Sequence, residues 1–322
     1  MPAARRHIAA HYDLGNELFA LFLDETMTYS CGFFENGDTS LREAQEAKLD
    51  LVCRKLELRP DDHLVEIGSG WGSLALHAAG NYGCRVTTAT LSPAQLELAK
   101  ARARDAGLDD RVDVVLRDYR DLRGRHSKLA SIEMIEAVGW QYFDTFFACC
   151  SRLLEPDGLM LLQAITIDDA AYEFEKGARS FANELIFPGG CLPSQEVIRQ
   201  ATDHVTDMRI LDVDDITASY PQTLRHWREL RGTGVQVLHL VTPGVDTDML
   251  DDTRRVYGRH MDADSWSDMS PQEWAAKVVR AVEHGDHVLG PGGRLALAKL
   301  ASRGPAALLD AVSRSLFTRE PR

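Results

Sequence analysis

The residues best suited to chemistry gather in a few short runs. The first is Leu64-Val65-Glu66-Ile67-Gly68-Ser69-Gly70-Trp71-Gly72, an apolar run ending in an acid and followed by three glycines at alternate positions. A helical pattern starts directly after it. This predicts a strand, a tight turn and a helix N-terminus. Glycine lets the backbone take positive φ and approach a ligand closely, and the amides of a first helical turn lack intrahelical partners. Glu66 adds an acceptor there. Such a turn suits a ligand with a polar or charged head, and a cationic one best. It is neither the G-x-G-x-x-G of a dinucleotide site nor a phosphate loop ending in Gly-Lys-Ser/Thr. Many α/β proteins use a similar turn only to change direction.

Other candidates follow at intervals: Thr90-Leu91-Ser92-Pro93 with Gln95, Arg117-Asp118-Tyr119-Arg120-Asp121, and Met134-Ile135-Glu136-Ala137-Val138-Gly139. Upstream, Met27-Thr28-Tyr29-Ser30-Cys31-Gly32-Phe33-Phe34 reads either as a loop lining a pocket or as a cap packed on the core. The elements that position these runs are legible from pattern. Ser40 and Glu43 mark a capping box for a helix over 40–57. Strands are predicted over 63–67, 84–89, 111–116, 128–133 and 159–166. Helices are predicted over 71–80, 93–106 and 141–154, the second started by Ser92 and Pro93. Pro156-Asp157-Gly158 reads as a turn before the last strand. Strands alternating with helices imply a mostly parallel sheet with helices on both faces. Ligands sit at the carboxyl ends of such strands, and four of the runs fall there in succession.

Composition sets the bounds. The 322 residues carry 49 Asp plus Glu against 36 Lys plus Arg, a net charge of −13, which disfavours non-specific nucleic-acid binding and gives no broad attraction to anionic lipid. The six cysteines include no C-x-x-C pair, so no metal site is expected and reduced thiols are the default. No signal-peptide pattern and no apolar run of membrane-spanning length is read, so a cytoplasmic protein is expected. The apolar block Leu18, Phe19, Leu21 and Phe22 either packs on the core or dips toward a bilayer as a peripheral contact.

Taken together, His11-Tyr12-Asp13-Leu14-Gly15-Asn16, Tyr29-Ser30-Cys31, the run Val65 to Gly72, Thr90-Leu91-Ser92, Glu133-Met134-Ile135-Glu136-Ala137-Val138-Gly139 and Ile186-Phe187-Pro188-Gly189-Gly190 resemble the cyclopropane-fatty-acid (mycolic acid cyclopropane) synthase family of S-adenosylmethionine-dependent methyltransferases. The resemblance covers about 7–230. It implies a Rossmann-like class I methyltransferase fold and a cofactor site at Tyr29, Ser30, Gly68, Gly70, Gly72, Thr90, Gln95, Tyr119 and Arg120, with Glu66 attracting the ammonium. It implies methyl transfer to the double bond of an unsaturated phospholipid acyl chain, at a transiently contacted membrane surface. The product would be a cyclopropane, a methylene or a methyl branch. Bicarbonate would be the base, held by Cys31, Glu136, position 163, Ile165 and a downstream tyrosine. Position 163 is Gln where many relatives have His, so it can position but not titrate. The segment 118–121, read alone, is a solvated turn.

The match stops after Leu224-Arg225-His226-Trp227-Arg228-Glu229. No aromatic-rich segment follows, so the tyrosine has no assigned counterpart. Residues 231–322 instead resemble the C-terminal part of a short-chain dehydrogenase, as an α/β appendage with a strand over 235–241, Pro243-Gly244-Val245-Asp246-Thr247 and a helix over 271–283. Tyr257 there has no partner lysine, so hydride transfer is not expected. The expected division is a cap over 1–60, a methyltransferase domain over 61–230 and the appendage over 231–322. Two functions stay open: a lipid-modifying methyltransferase, and a cofactor-binding fusion protein that has lost turnover. The oligomeric state is not legible.

Overall fold

The structure, a computed structural model, describes residues 15–35, 39–177 and 189–228, together with 239–240, 277, 280 and 288–289. The motif residues His11 to Leu14 and Ile186 to Pro188, Tyr257, and most of the 271–283 helix lie outside the described residues. The chain divides into two compact units, Met1–Glu229 and Leu230–Arg322.

The first unit is built on five parallel strands: β1 (His63–Ile67), β2 (Arg85–Thr90), β3 (Val112–Leu116), β4 (His126–Ile132) and β5 (Leu154–Gln163). Their order is β3-β2-β1-β4-β5. β1 is central and almost wholly buried, pairing with β2 through Glu66 opposite Thr88 and with β4 through Glu66 opposite Ala130. The predicted Pro156-Asp157-Gly158 turn is present as a break in register: His126 pairs with Leu154, but Lys128 pairs with Leu159. The exposed residues between them loop out of the ladder and the strand resumes.

In chain order the helices are α1 (Asn16–Ala20), α2 (Leu41–Lys55), α3 (Ser73–His77), α4 (Pro93–Asp105), α5 (Phe143–Leu153), α6 (Tyr172–Gly177), α7 (Gln195–Val205) and α8 (Tyr220–Arg228). The predicted helix over 71–80 is shorter in its α part and runs on as a π-turn over Ala78–Tyr82. α2 has the capping box at Ser40 and Glu43, and Ser92 caps α4. α5 shows why these helices dock. Phe143, Phe146, Phe147, Cys150 and Leu153 recur at helical spacing, and all are buried with Val65, Ile67 and Leu129 of the sheet. Truncating the fully buried Phe146 to alanine would cost about 3–5 kcal/mol.

α2 is less regular. Its buried stripe includes Gln45 and Lys48 among Leu41, Ala44, Leu49 and Val52. A buried lysine in an apolar stripe requires partners, and those partners lie in the site. The N-terminal block divides instead of presenting one face. Phe19 and Leu23 are buried against Trp71 with Phe22 packed beside them, while Leu18 and Leu21 are 40% and 42% exposed. The helix ends at Ala20, so Leu21 and Phe22 follow in a turn that no longer keeps the helical face. In the second unit, His239–Leu240 and Val288–Leu289 pair in parallel.

Candidate active site

The glycine run after β1 forms the predicted turn, and Gly68, Gly70 and Gly72 all have positive φ. Two of them differ in purpose. At Gly72 (φ +88°) an added Cβ would lie 3.1 Å from Ala99 Cβ, so this glycine lets α4 pack close. At Gly70 (φ +48°) an added Cβ meets nothing within 4 Å, so the space over this peptide is open to a ligand. Trp71 is buried beside the turn, its indole N–H donating to Asn16 Oδ1 at 2.7 Å.

Glu66 is 3% exposed and accepts from Thr88 Oγ1 at 2.5 Å. Burial pushes its carboxyl up to about 8, against the opposing effects of Thr88 and the Lys48 charge. Lys48, 2% exposed, donates to Ser30 Oγ at 2.7 Å. Burial pulls its ammonium down to about 8, while Glu133, Cys31, Asp24 and Glu66 hold it up. Gln45 Nε2 donates to the Ser30 carbonyl at 2.7 Å. The polar residues of α2 thus hold Ser30, and Lys48 brings a positive charge near Glu66. Tyr29 packs at 5.3 Å from Phe19 and 5.2 Å from Trp227.

At the end of β2, Thr90 Oγ1 donates to Gln95 Oε1 at 2.7 Å and accepts from Ser92 N–H. The Gln95 amide is therefore fixed by its oxygen, which leaves its NH2 to donate. After β3, the segment 118–121 is not a solvated turn. Asp118 is buried, and Arg120 grips it in bidentate fashion at 2.8 and 2.6 Å. Such fork-to-fork pairs fix orientation as well as charge. Arg120 also lies over the Tyr119 ring at 5.5 Å, and Tyr119 meets Phe146 edge-on.

The remaining site residues lie beyond β4 and β5. Glu136, on the turn Ile135–Ala137, accepts from the Ile165 N–H at 2.5 Å through Oε1. Its Oε2 is buried with no hydrogen-bond partner among the described residues. Burial pushes this carboxyl up to about 7, helped by the Glu133 charge and opposed by backbone donors. Cys31 is buried, and its thiol is pushed up to about 11, chiefly by burial. Gln163 Nε2 donates to Glu133 Oε1 at 2.8 Å and to the Cys31 carbonyl at 3.3 Å. Its N–H groups are spent on protein, so it braces Cys31 and does not reach out to an anion.

Three residues here escaped the sequence reading. Glu133 lies in the same motif as Glu136, but nothing local marks its carboxylate as turned inward. Lys48 could have been found as a charge at an inward position of α2. Tyr220 supplies a tyrosine facing Glu133, Cys31, Tyr29 and Glu136. It precedes residue 230, inside the stretch that the family resemblance covers. Burial pushes its hydroxyl well above the usual range.

A five-stranded parallel sheet in the order 3-2-1-4-5, with a glycine turn after the central strand, defines a Rossmann-like class I methyltransferase fold. The model of the mycolic acid cyclopropane synthetase family matches residues 2–241, and the chain belongs to that family. It is 41% identical over 233 residues to the tuberculostearic acid methyltransferase UfaA1 of Mycobacterium tuberculosis (strain ATCC 25618 / H37Rv), covering 70% of this chain and 54% of that protein. It is 40% identical over 219 residues to the cyclopropane-fatty-acyl-phospholipid synthase of Escherichia coli (strain K12), covering 68% and 54%. The chain thus spans about half the length of these curated relatives. Among solved structures, the mycolic acid cyclopropane synthase CmaA1 complexed with SAH and CTAB superposes with a TM-score of 0.66 at 33% identity, covering 70% of this chain and 82% of that one.

Proposed function

We propose that this protein transfers a methyl group from S-adenosylmethionine to the double bond of an unsaturated phospholipid acyl chain, giving a cyclopropane, methylene or methyl-branched lipid. The observation that carries the reading is Glu136: one oxygen pinned by Ile165, the other buried and, among the described residues, unpartnered, with Tyr220 facing both it and Cys31. A buried orphan acceptor on a carboxyl held near neutrality is poised to exchange a proton. The residues also fit a small anion such as bicarbonate. A protonated Glu136 can donate through Oε2, and Tyr220 brings a hydroxyl.

The cofactor fits the turn. Gly70 leaves the open approach, Glu66 stands behind it as counter-charge for an ammonium, and Ser30, Thr90, Gln95, Tyr119 and Arg120 complete the surround. When bound, S-adenosylmethionine supplies an electrophilic methyl on a sulfonium. The alkene is a weak nucleophile, so the protein must hold the partners close and aligned. Attack leaves a cation on the acyl chain, and a proton must then leave it. The Glu136 cluster is suited to stabilise that cation and direct the proton.

Among the described residues no helix is long and apolar enough to cross a membrane. The exposed Leu18 and Leu21 of the N-terminal segment support a transient contact with the lipid surface that supplies the substrate. The function is tested by incubating the full chain with unsaturated phospholipid vesicles and methyl-labelled S-adenosylmethionine. Label in the acyl chain is expected. Tight cofactor binding without label transfer would instead identify a cofactor-binding protein without turnover.

A further inference from the structure

Glu133 follows β4 directly and has no part in the chemistry described above. Its φ is +44°, the left-handed region that a residue with a side chain enters only at a cost. Its own N–H continues the sheet by donating to the Gln163 carbonyl at 2.8 Å. The side chain turns inward, where Oε1 accepts from the Cys31 N–H at 2.9 Å and from Gln163 Nε2 at 2.8 Å. Tyr220 faces the same carboxylate from the start of α8. Gln163 closes a ring by donating to the Cys31 carbonyl at 3.3 Å. Three segments meet on one buried carboxylate: the 29–34 loop, the end of β5 and the start of α8. Left-handed strain of this kind persists where the surroundings over-determine it, and it gathers at functional sites.

We propose that Glu133 is the positioning residue of the acceptor side of the site. Its carboxylate fixes Cys31 and Gln163 relative to one another, with Tyr220 facing them, and so sets the shape of the space against Glu136. The catalytic consequence rests on the methyl-transfer reading; the positioning itself does not. The titratable groups facing Glu133 are Lys48 from α2, Tyr29 and Cys31 from the loop, Glu136 from its own turn and Tyr220 from α8. Those facing Glu136 are Glu133 and Tyr220. Lys48 is the cation of the group, so it keeps the Glu133 carboxylate an effective acceptor. Burial raises the Glu133 carboxyl, opposed by the Cys31 and Gln163 donors and the Lys48 charge, and its negative charge in turn raises the proton affinity of Glu136.

The test compares full-length wild type, Glu133→Gln, Gln163→Ala and the double variant. Amide hydrogen exchange is read at residues 29–33, with β1 as the internal reference. In Glu133→Gln, whose amide oxygen is a weaker acceptor than a carboxylate, protection of the Cys31 amide should fall by about threefold or more while β1 is unchanged. Affinity for S-adenosylmethionine should stay within about twofold, and kcat for label transfer to vesicles should fall by about tenfold or more. The pH profile of kcat should move to lower pH, because the anion that raised Glu136 is gone. The double variant should lose no more than Glu133→Gln alone, since both act through one ring. Unchanged Cys31 protection would overturn the proposal. So would a uniform loss of protection through β1, which would make Glu133 a general support of the fold. If wild type transfers no label, the function reading falls, and Cys31 exchange still decides the role of Glu133.

Discussion

At the ends of β2 and β3, Thr90 holds Gln95 across five residues, Ser92 caps Gln95 across three, and Asp118 grips Arg120 across two. Beyond β4 and β5 the spans are of another order. Cys31 reaches Glu133 across 102 residues, Gln163 reaches Cys31 across 132, and Gly32 reaches Thr223 across 191. On the cofactor side the turns after β2 and β3 form with little loss of chain entropy, while Tyr29 and Ser30 are brought in from the 29–34 loop. The acceptor side exists only when the whole first unit has closed. The two sides should therefore fail separately: local damage should weaken cofactor binding, and damage to distant packing should slow the chemistry.

The largest expected separation comes from the two glycines. Gly70→Ala forces a side chain into φ +48° without a clash, so its stability cost is about 1–2 kcal/mol. The new methyl stands where the cofactor would approach, and its Kd should rise by about tenfold or more. Gly72→Ala adds the 3.1 Å contact with Ala99 Cβ, so its larger loss should be in Tm. Calorimetric titration and thermal melts on both variants would break the comparison if the two lost affinity and stability in equal proportion.

Thr223→Val probes the distant side. The Thr223 hydroxyl accepts from the Gly32 N–H at 3.0 Å and donates to the Ser219 carbonyl at 3.1 Å. A near-isosteric valine leaves a buried N–H unmade, at about 1–3 kcal/mol. Steady-state transfer should show kcat reduced severalfold with cofactor affinity unchanged. An affinity loss matching the kcat loss would mean the two sides are not separable.

A smaller effect sharpens the role of Glu66. Burial raises its carboxyl to about 8, and a cationic ligand favours the ionised form. Binding then releases a proton, so affinity should rise between about pH 6 and 7.5, by at most about tenfold per unit. Glu66→Gln should flatten that slope. The same raised pKa gives the sign for stability. Folded Glu66 and Glu136 bind protons that the unfolded chain has released above its ordinary carboxylate range. Their contribution to stability is present at low pH and is lost as pH rises through about 7 for Glu136 and about 8 for Glu66.

What could be read in the sequence follows the same division. β1 was legible over 63–67 because an apolar run meets a glycine turn, and the caps at Ser40 and Ser92 are short-range signals. The Asp118–Arg120 clamp was missed, since a charged tetrapeptide looks solvated until Phe146 and the sheet cover it. Tyr220 and Glu133 were missed for a stronger reason. Nothing within ten residues of either specifies that they meet, and only the closed fold brings α8 onto the 29–34 loop. The N-terminal block shows the same limit: composition marked it as apolar, and tertiary packing chose Phe19 for the core and Leu18 for the surface.

The most direct measurement pairs cofactor affinity with label transfer in Glu136→Gln. The substitution keeps the shape and an acceptor for the Ile165 N–H but removes the titrating carboxyl. Cofactor Kd should stay within about twofold of wild type, while kcat falls by about 10²–10⁴-fold. A variant that transfers methyl groups at the wild-type rate, or that loses its cofactor along with its activity, would contradict the assignment of chemistry to the Glu136 side of the site.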